Sequence, residues 1–193
     1  MKKIISLFVR DFSCMPAEIT REVTPGAEWV TRGEGVATLK WDGTAALWKD
    51  GKLWGRFDAK RGKTPPAGWV ECGPPDAVTG HHPGWVVIGD EPQNRWHREA
   101  AVKGCDFDGD PLEDGATYEV IGAKVQGNPY NLTSHLLARH GNFLLLKAPR
   151  DFDSLRHYFA ENVIEGIVWH HADGRMVKIK RRDFGLPWPS NKP

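Results

Sequence analysis

Glycine and proline interrupt this chain so often that long helices have little room to form. The 193 residues include 21 glycines and 14 prolines, and between them lie short runs of apolar and β-branched residues. Glycine frees the backbone for turns and proline removes an amide donor, so this punctuation favours many short strands. The candidate strands are residues 4–9, 35–40, 44–48, 52–57, 69–72, 85–88, 117–121, 143–147, 165–170 and 176–180. Lys49-Asp50-Gly51 and Ala172-Asp173-Gly174 each separate two of them as a tight turn would, predicting β-hairpins at 44–57 and 165–180. Helical signals occupy 94–102, which carries Trp96, 132–139 behind Asn131 as a cap, and 153–161. The last has Leu155, Tyr158 and Phe159 at helical spacing behind Asp151 or Asp153. The stretch 62–92 reads as a long irregular connection. Strands before and between isolated helices predict an α+β chain with antiparallel sheets flanked by a few helices, and no repeat or linker divides it.

Composition narrows the classes. Lysine and arginine exceed aspartate and glutamate by a single charge, which argues against a polybasic tail while leaving room for local basic clusters. A 40% hydrophobic fraction beside 26% charged residues excludes a wholly disordered chain. No run approaches the ~18 apolar residues of a membrane span. The opening MKKIISLFVR reads as a strand, with a signal peptide as the alternative, because Arg10 and Asp11 cut the apolar run and no small-residue cleavage site follows. Cys14, Cys72 and Cys105 are odd in number and far apart, which suits free thiols in a reducing, cytoplasmic setting. No CxxC or HxxxH spacing joins them to His81, His82 and His97 as a zinc site.

Four places carry chemistry. Lys40 ends the apolar strand Val36-Ala37-Thr38-Leu39 and precedes Trp41-Asp42-Gly43, the position of an amine at the mouth of a sheet-lined cleft. An amine attacks only when unprotonated, so burial or neighbouring cations must favour its neutral form. Glu165-Gly166 opens the apolar run Ile167-Val168-Trp169. Lys178 and Lys180 lie two apart in a strand, hence on one face, where paired cations are costly unless an anion such as phosphate joins them. Glu119 sits among apolar strand residues and wants a partner, for which a sugar hydroxyl would serve. Taken singly, each also fits an ordinary turn or a solvated strand face.

Their order changes that reading. Lysine with Asp-Gly, then Glu in a strand, then Glu-Gly, then Lys-x-Lys resembles motifs I, III, IV and V of the covalent nucleotidyltransferases, the superfamily of DNA ligases, RNA ligases and mRNA-capping enzymes. Within it, Leu53-Trp54-Gly55-Arg56-Phe57-Asp58, Gly80-His81-His82-Pro83-Gly84-Trp85-Val86, Arg95-Trp96-His97, Gly127-Asn128-Pro129-Tyr130, Ile164-Glu165-Gly166-Ile167-Val168-Trp169-His170 and Gly185-Leu186-Pro187-Trp188-Pro189 resemble the ATP-dependent 5′-to-3′ RNA ligase family. The resemblance runs from about residue 30 to 189. The loop between Lys40 and Arg56 looks shorter than in animal members, and the chain stops soon after Trp188 where they continue.

The resemblance implies a single nucleotidyltransferase (adenylation) domain over 1–193 without a C-terminal OB domain; the oligomeric state stays open, with a monomer as the expectation. It implies ATP and Mg²⁺ or Mn²⁺ as cofactors, and RNA with 5′-phosphate and 3′-hydroxyl ends as the partner. Lys40 becomes the nucleophile that carries AMP. Lys178 and Lys180 hold the α-phosphate, and Glu165 holds the metal ion. Glu119 accepts from ribose hydroxyls, Arg56 contacts ribose or phosphate, and Phe143 stacks on adenine. The backbone of Thr38 and Leu39 reads the adenine edge, Asp42 supports the lysine or its hydrated metal, and Gly43 belongs with them to the cofactor-binding residues. Arg61 and Lys63 receive no role beyond a solvated loop or a path for a phosphate backbone. The alternatives are a ligase for another nucleic acid, a GTP-using capping type, and a protein that binds RNA ends without sealing them.

Overall fold

A computed structural model describes residues 4–13, 18–77 and 79–189. Cys14 falls outside them; Cys72 and Cys105 form no disulfide among the described residues. The strands are β1 (Ile5–Ser6), β2 (Phe8–Asp11), β3 (Glu18–Val23), β4 (Val36–Lys40), β5 (Thr44–Lys49), β6 (Lys52–Ala59), β7 (Val70–Glu71), β8 (His82–Val87), β9 (Thr117–Gly122), β10 (His135–Arg139), β11 (Gly166–His170) and β12 (Met176–Lys180). The helices are α1 (Glu28–Thr31), α2 (Arg95–Ala101) and α3 (Phe152–Glu161). The α+β, largely antiparallel expectation is met. Among the described residues no helix is long and apolar enough to cross a membrane.

Contacts gather the chain into two units, one formed by Asp42–His140 and one in which Ile4–Trp41 joins the residues from Gly141 onward. The first is built on an antiparallel sheet in the order β10-β9-β5-β6-β8-β7. The expected hairpin at 44–57 is β5–β6, turned by Asp50 and Gly51 at φ of 52° and 66°, the left-handed values a two-residue turn demands. Period-2 alternation sends Ala46, Leu53, Tyr118, Val120 and Leu137 to one face, where they pack with Ala100 of α2. The imidazole of His135 stacks on Trp96 at 4.6 Å and pairs with Glu99 at 2.9 Å, fastening α2 to β10.

His97, on the same helix, is half-buried, and both its ring nitrogens are shut from solvent with no partner among the described residues. Burial holds its pKa below the usual histidine value. As pH falls through about 6.5 the unfolded chain gains a proton that the folded chain resists, so stability drops with acid. His97→Leu should flatten that loss, read as urea midpoints at pH 7 and pH 5.

The second unit holds a sheet in the order β1-β12-β11-β4, parallel only between β1 and β12, and the hairpin β2–β3. The expected hairpin at 165–180 is β11–β12. One sheet face, with Ala37, Ile167, Trp169, Val177 and Ile179, packs with Leu7, Trp29 and, from α3, Leu155 and Phe159. Asp151 caps α3 by accepting from the Ser154 amide. Arg181, nearly buried, donates to the carbonyls of Phe159, Asn162 and Pro187, so it satisfies the open end of α3 and anchors the chain after β12.

Several expectations need correction. The helix expected at 132–139 is the strand β10. Asn131 stands at a left-handed φ of 52°, and Asn128 closes the loop by bonding both the amide and the carbonyl of Leu132. Alternation then sends Leu137 into the core opposite Val120. The strand expected at 143–147 shrinks to a bridge between Leu144 and Thr38. Residues 4–9 divide at Leu7 into β1 and β2, while the strands expected at 69–72 and 85–88 inside the 62–92 stretch are met as β7 and β8, the second starting earlier, at His82.

Candidate functional site

In the second unit, sheet register does the positioning. Gly166 of β11 faces Lys40 of β4 on one side and Lys180 of β12 on the other, so these residues form one row. The next row on that face is Thr38, Val168 and Lys178. Strand alternation therefore puts Lys40, Lys178 and Lys180 on the face opposite the apolar core. The glycine between two lysines is required: a Cβ there would lie 2.4 Å from the Ile179 carbonyl oxygen.

Glu165 stands just before β11 with its side chain only 2% exposed, and its two oxygens lie 2.9 Å from Lys40 Nζ and 2.9 Å from Lys180 Nζ. The backbone carbonyl of Glu165 accepts from the Arg181 amide, which holds the carboxylate in place. Lys178 has no carboxylate within ion-pair distance among the described residues. Burial first, and then the cations Lys180 and Lys40, push its pKa down to about 8. Asp183, the other carboxylate nearby, is engaged with Arg10 and with the amide of Lys180. Local positive charge thus exceeds what the carboxylates offset, the condition for holding an anion.

Thr38 turns its hydroxyl to the Val168 carbonyl at 3.2 Å and to His170 Nε2 at 3.0 Å. The Leu39 amide donates to the Phe143 carbonyl at 2.8 Å, so an adenine reading that amide would have to displace the 143–145 segment. Phe143 is 43% exposed and meets Trp41 edge-on at 5.6 Å.

In the first unit, the sheet face away from α2 carries Glu119 and Arg56. Ala45 faces Glu119, and the β5–β6 register places Arg56 on its other side, with Trp85 beyond. Strand spacing puts Glu119 and Arg56 roughly 10 Å apart at the backbone, with a small alanine between them. Arg56 bonds Asp58 and lies over the Trp85 ring at 5.7 Å. Glu119 Oε1 accepts the Gly43 amide at 3.0 Å, and Oε2 meets His140 Nε2 at 2.9 Å. A Cβ at Gly43 would lie 2.1 Å from the Val120 carbonyl oxygen, so only glycine fits under β9. The Asp42 amide donates to the Tyr130 hydroxyl at 2.6 Å, and the Gln126 amide group donates to the Gly43 carbonyl at 3.3 Å. Sequence reasoning missed His140 and Gln126. Their roles depend on β10 being a strand and on the left-handed turn at Gln126, Gly127 and Asn128.

The sequence model of the RNA ligase 1 family matches residues 71–193, more than half the chain. The chain belongs to the RNA ligase 1 family. The matched residues include Glu119, Phe143, Glu165, Lys178 and Lys180, whereas Lys40 and Arg56 precede them. RNA ligase 1 of Pongo abelii is 35% identical over 144 residues, that of Danio rerio 35% over 138 and that of Rattus norvegicus 35% over 140. Each alignment covers 57% of this chain and 42% of the relative, so the chain spans less than half the length of the curated relatives it matches.

Proposed function

We propose that this RNA ligase 1 family member is an ATP-dependent RNA ligase joining 5′-phosphate and 3′-hydroxyl ends through a lysyl-AMP intermediate. The observation that carries the reading is the lysine face of the second unit: an amine at a strand end, a buried glutamate against it, and two further lysines on the same face. Lys40 Nζ, after giving up its proton, attacks the α-phosphorus of ATP and releases pyrophosphate. A 5′-phosphate oxygen of RNA then takes the adenylyl group and frees the lysine. A 3′-hydroxyl finally attacks the activated phosphate, loses its proton and expels AMP. Lys178 and Lys180 hold the α-phosphate and neutralise charge that builds on it, where fixed cations contribute most.

Glu165 supplies one hard carboxylate, and among the described residues no group of three or more His, Cys, Asp or Glu gathers to hold a metal. That donor fits Mg²⁺, which is commonly held by one or two carboxylates together with substrate phosphates and water. Glu165 would hold the ion, which when bound would add neutralisation of phosphate charge. Glu165→Gln keeps the shape but removes the charge, and should raise the Mg²⁺ needed for half-maximal labelling by about 10-fold or more, read by metal titration.

The deciding experiment incubates the protein with α-labelled ATP and Mg²⁺, then chases with 5′-phosphorylated RNA. A covalent band that disappears into joined RNA is expected. No band overturns the reading. A band from labelled GTP alone points to the capping type, and a band with no joined product to a protein that stops before sealing.

A further inference from the structure

The Glu119 carboxylate is held in a chain of contacts contained within the first unit. Thr117 and Glu119 lie two apart on β9, hence on one sheet face, and His140 follows the last residue of β10. The His140 amide donates to the Thr117 carbonyl at 3.1 Å, so the backbone sets the ring beside that face. Nδ1 then lies 3.0 Å from the Thr117 hydroxyl and Nε2 lies 2.9 Å from Glu119 Oε2. A carboxylate only accepts, so Nε2 carries the proton toward Glu119, and in that tautomer Nδ1 accepts from the Thr117 hydroxyl. With the Gly43 amide on Oε1, one donor fixes each oxygen and the carboxylate cannot swing. An ionised carboxylate has about four acceptor directions, so each oxygen retains one. Two adjacent acceptors on a fixed plane suit the vicinal hydroxyls of a ribose.

We propose that His140, locked by Thr117, is a positioning residue that aims Glu119 at the ribose diol and so makes the protein discriminate ribonucleotides from deoxyribonucleotides. The inference rests on the reading of Glu119 as a ribose acceptor. A site built to bond a hydroxyl rejects a ligand lacking it, because its own polar groups are then left unpaired. Loosening the carboxylate should therefore weaken use of ATP while barely changing use of the deoxy analogue.

The test measures the rate of covalent labelling against concentration for ATP, 2′-deoxy-ATP and 3′-deoxy-ATP. It uses the wild-type chain and its Glu119→Gln, His140→Ala, His140→Gln and Thr117→Val variants. His140→Ala should cut the preference for ATP over the deoxy analogues by about 10-fold, through KM more than kcat. His140→Gln, which keeps a donor, should restore part of it, and Thr117→Val should lower it by about 3-fold without touching Glu119. Equal losses for all three nucleotides in His140→Ala and Thr117→Val mark a structural role and overturn the proposal. Preference unchanged in both of those variants but lost in Glu119→Gln also overturns it, while leaving Glu119 as the ribose acceptor. Preference unchanged in Glu119→Gln overturns the reading of Glu119 itself. If His140→Ala does not fold, the Thr117→Val and His140→Gln results decide.

Discussion

Lys40→Ala is expected to abolish the covalent band from labelled ATP and the joining of ordinary 5′-phosphate ends, a loss of at least about a thousandfold. The same variant should still seal a strand that is already adenylylated, because that strand carries the activated phosphate and needs no lysine. Loss of one activity with survival of the other separates a missing nucleophile from a damaged fold. Alanine also strips one of the two cations from the buried Glu165 carboxylate, whose remaining ion pair is with Lys180. Lys40→Arg covers that point. Arginine keeps the charge against Glu165, yet its guanidinium stays protonated and cannot serve as the nucleophile. Both variants should therefore lack the band. Normal labelling in either would remove Lys40 from the reaction.

Lys178→Met should move stability and activity in opposite directions. The Lys178 side chain is half-buried with no carboxylate at ion-pair distance among the described residues, and its pKa stands at about 8 instead of 10.5. Below pH 8 both folded and unfolded chains carry the charge, and the folded chain bears its full cost. Between 8 and 10.5 the folded chain has shed a proton that the unfolded chain still holds, so stability rises with pH. The shift corresponds to about 3 kcal/mol. Methionine has a similar length and no charge, so at pH 7 the variant should gain up to that amount. The two chains should converge in stability near pH 10.5. Urea unfolding across pH 7 to 10 measures this. Adenylylation should meanwhile fall by about a hundredfold or more, because the α-phosphate loses a fixed cation. A variant that is both less stable and fully active would mean Lys178 is an ordinary packing residue.

The two predictions share an origin in sheet register. A cation with no carboxylate at ion-pair distance costs stability, and on the proposed reading the α-phosphate supplies the missing counter-charge at this face.

Much of this was legible in the chain itself. Turn signals at Asp50-Gly51 and Asp173-Gly174 located both hairpins, because a left-handed turn depends on the two or three residues that make it. Period 2 put Lys178 and Lys180 on one face for the same local reason. Other features belonged to pairing between distant segments. That Lys40 and Lys180 flank Gly166, that Glu165 lies between their ammonium groups, and that Arg56 and Glu119 straddle Ala45 all follow from which strand lies beside which. His140 escaped notice because residues 132–139 have apolar spacing that suits a helix as well as a strand. Only pairing with β9 decides between them, and that pairing sets the imidazole against Glu119. Residue chemistry and short-range periodicity are written along the chain. Neighbours across a sheet are chosen by burial of the opposite face, a property no single segment possesses.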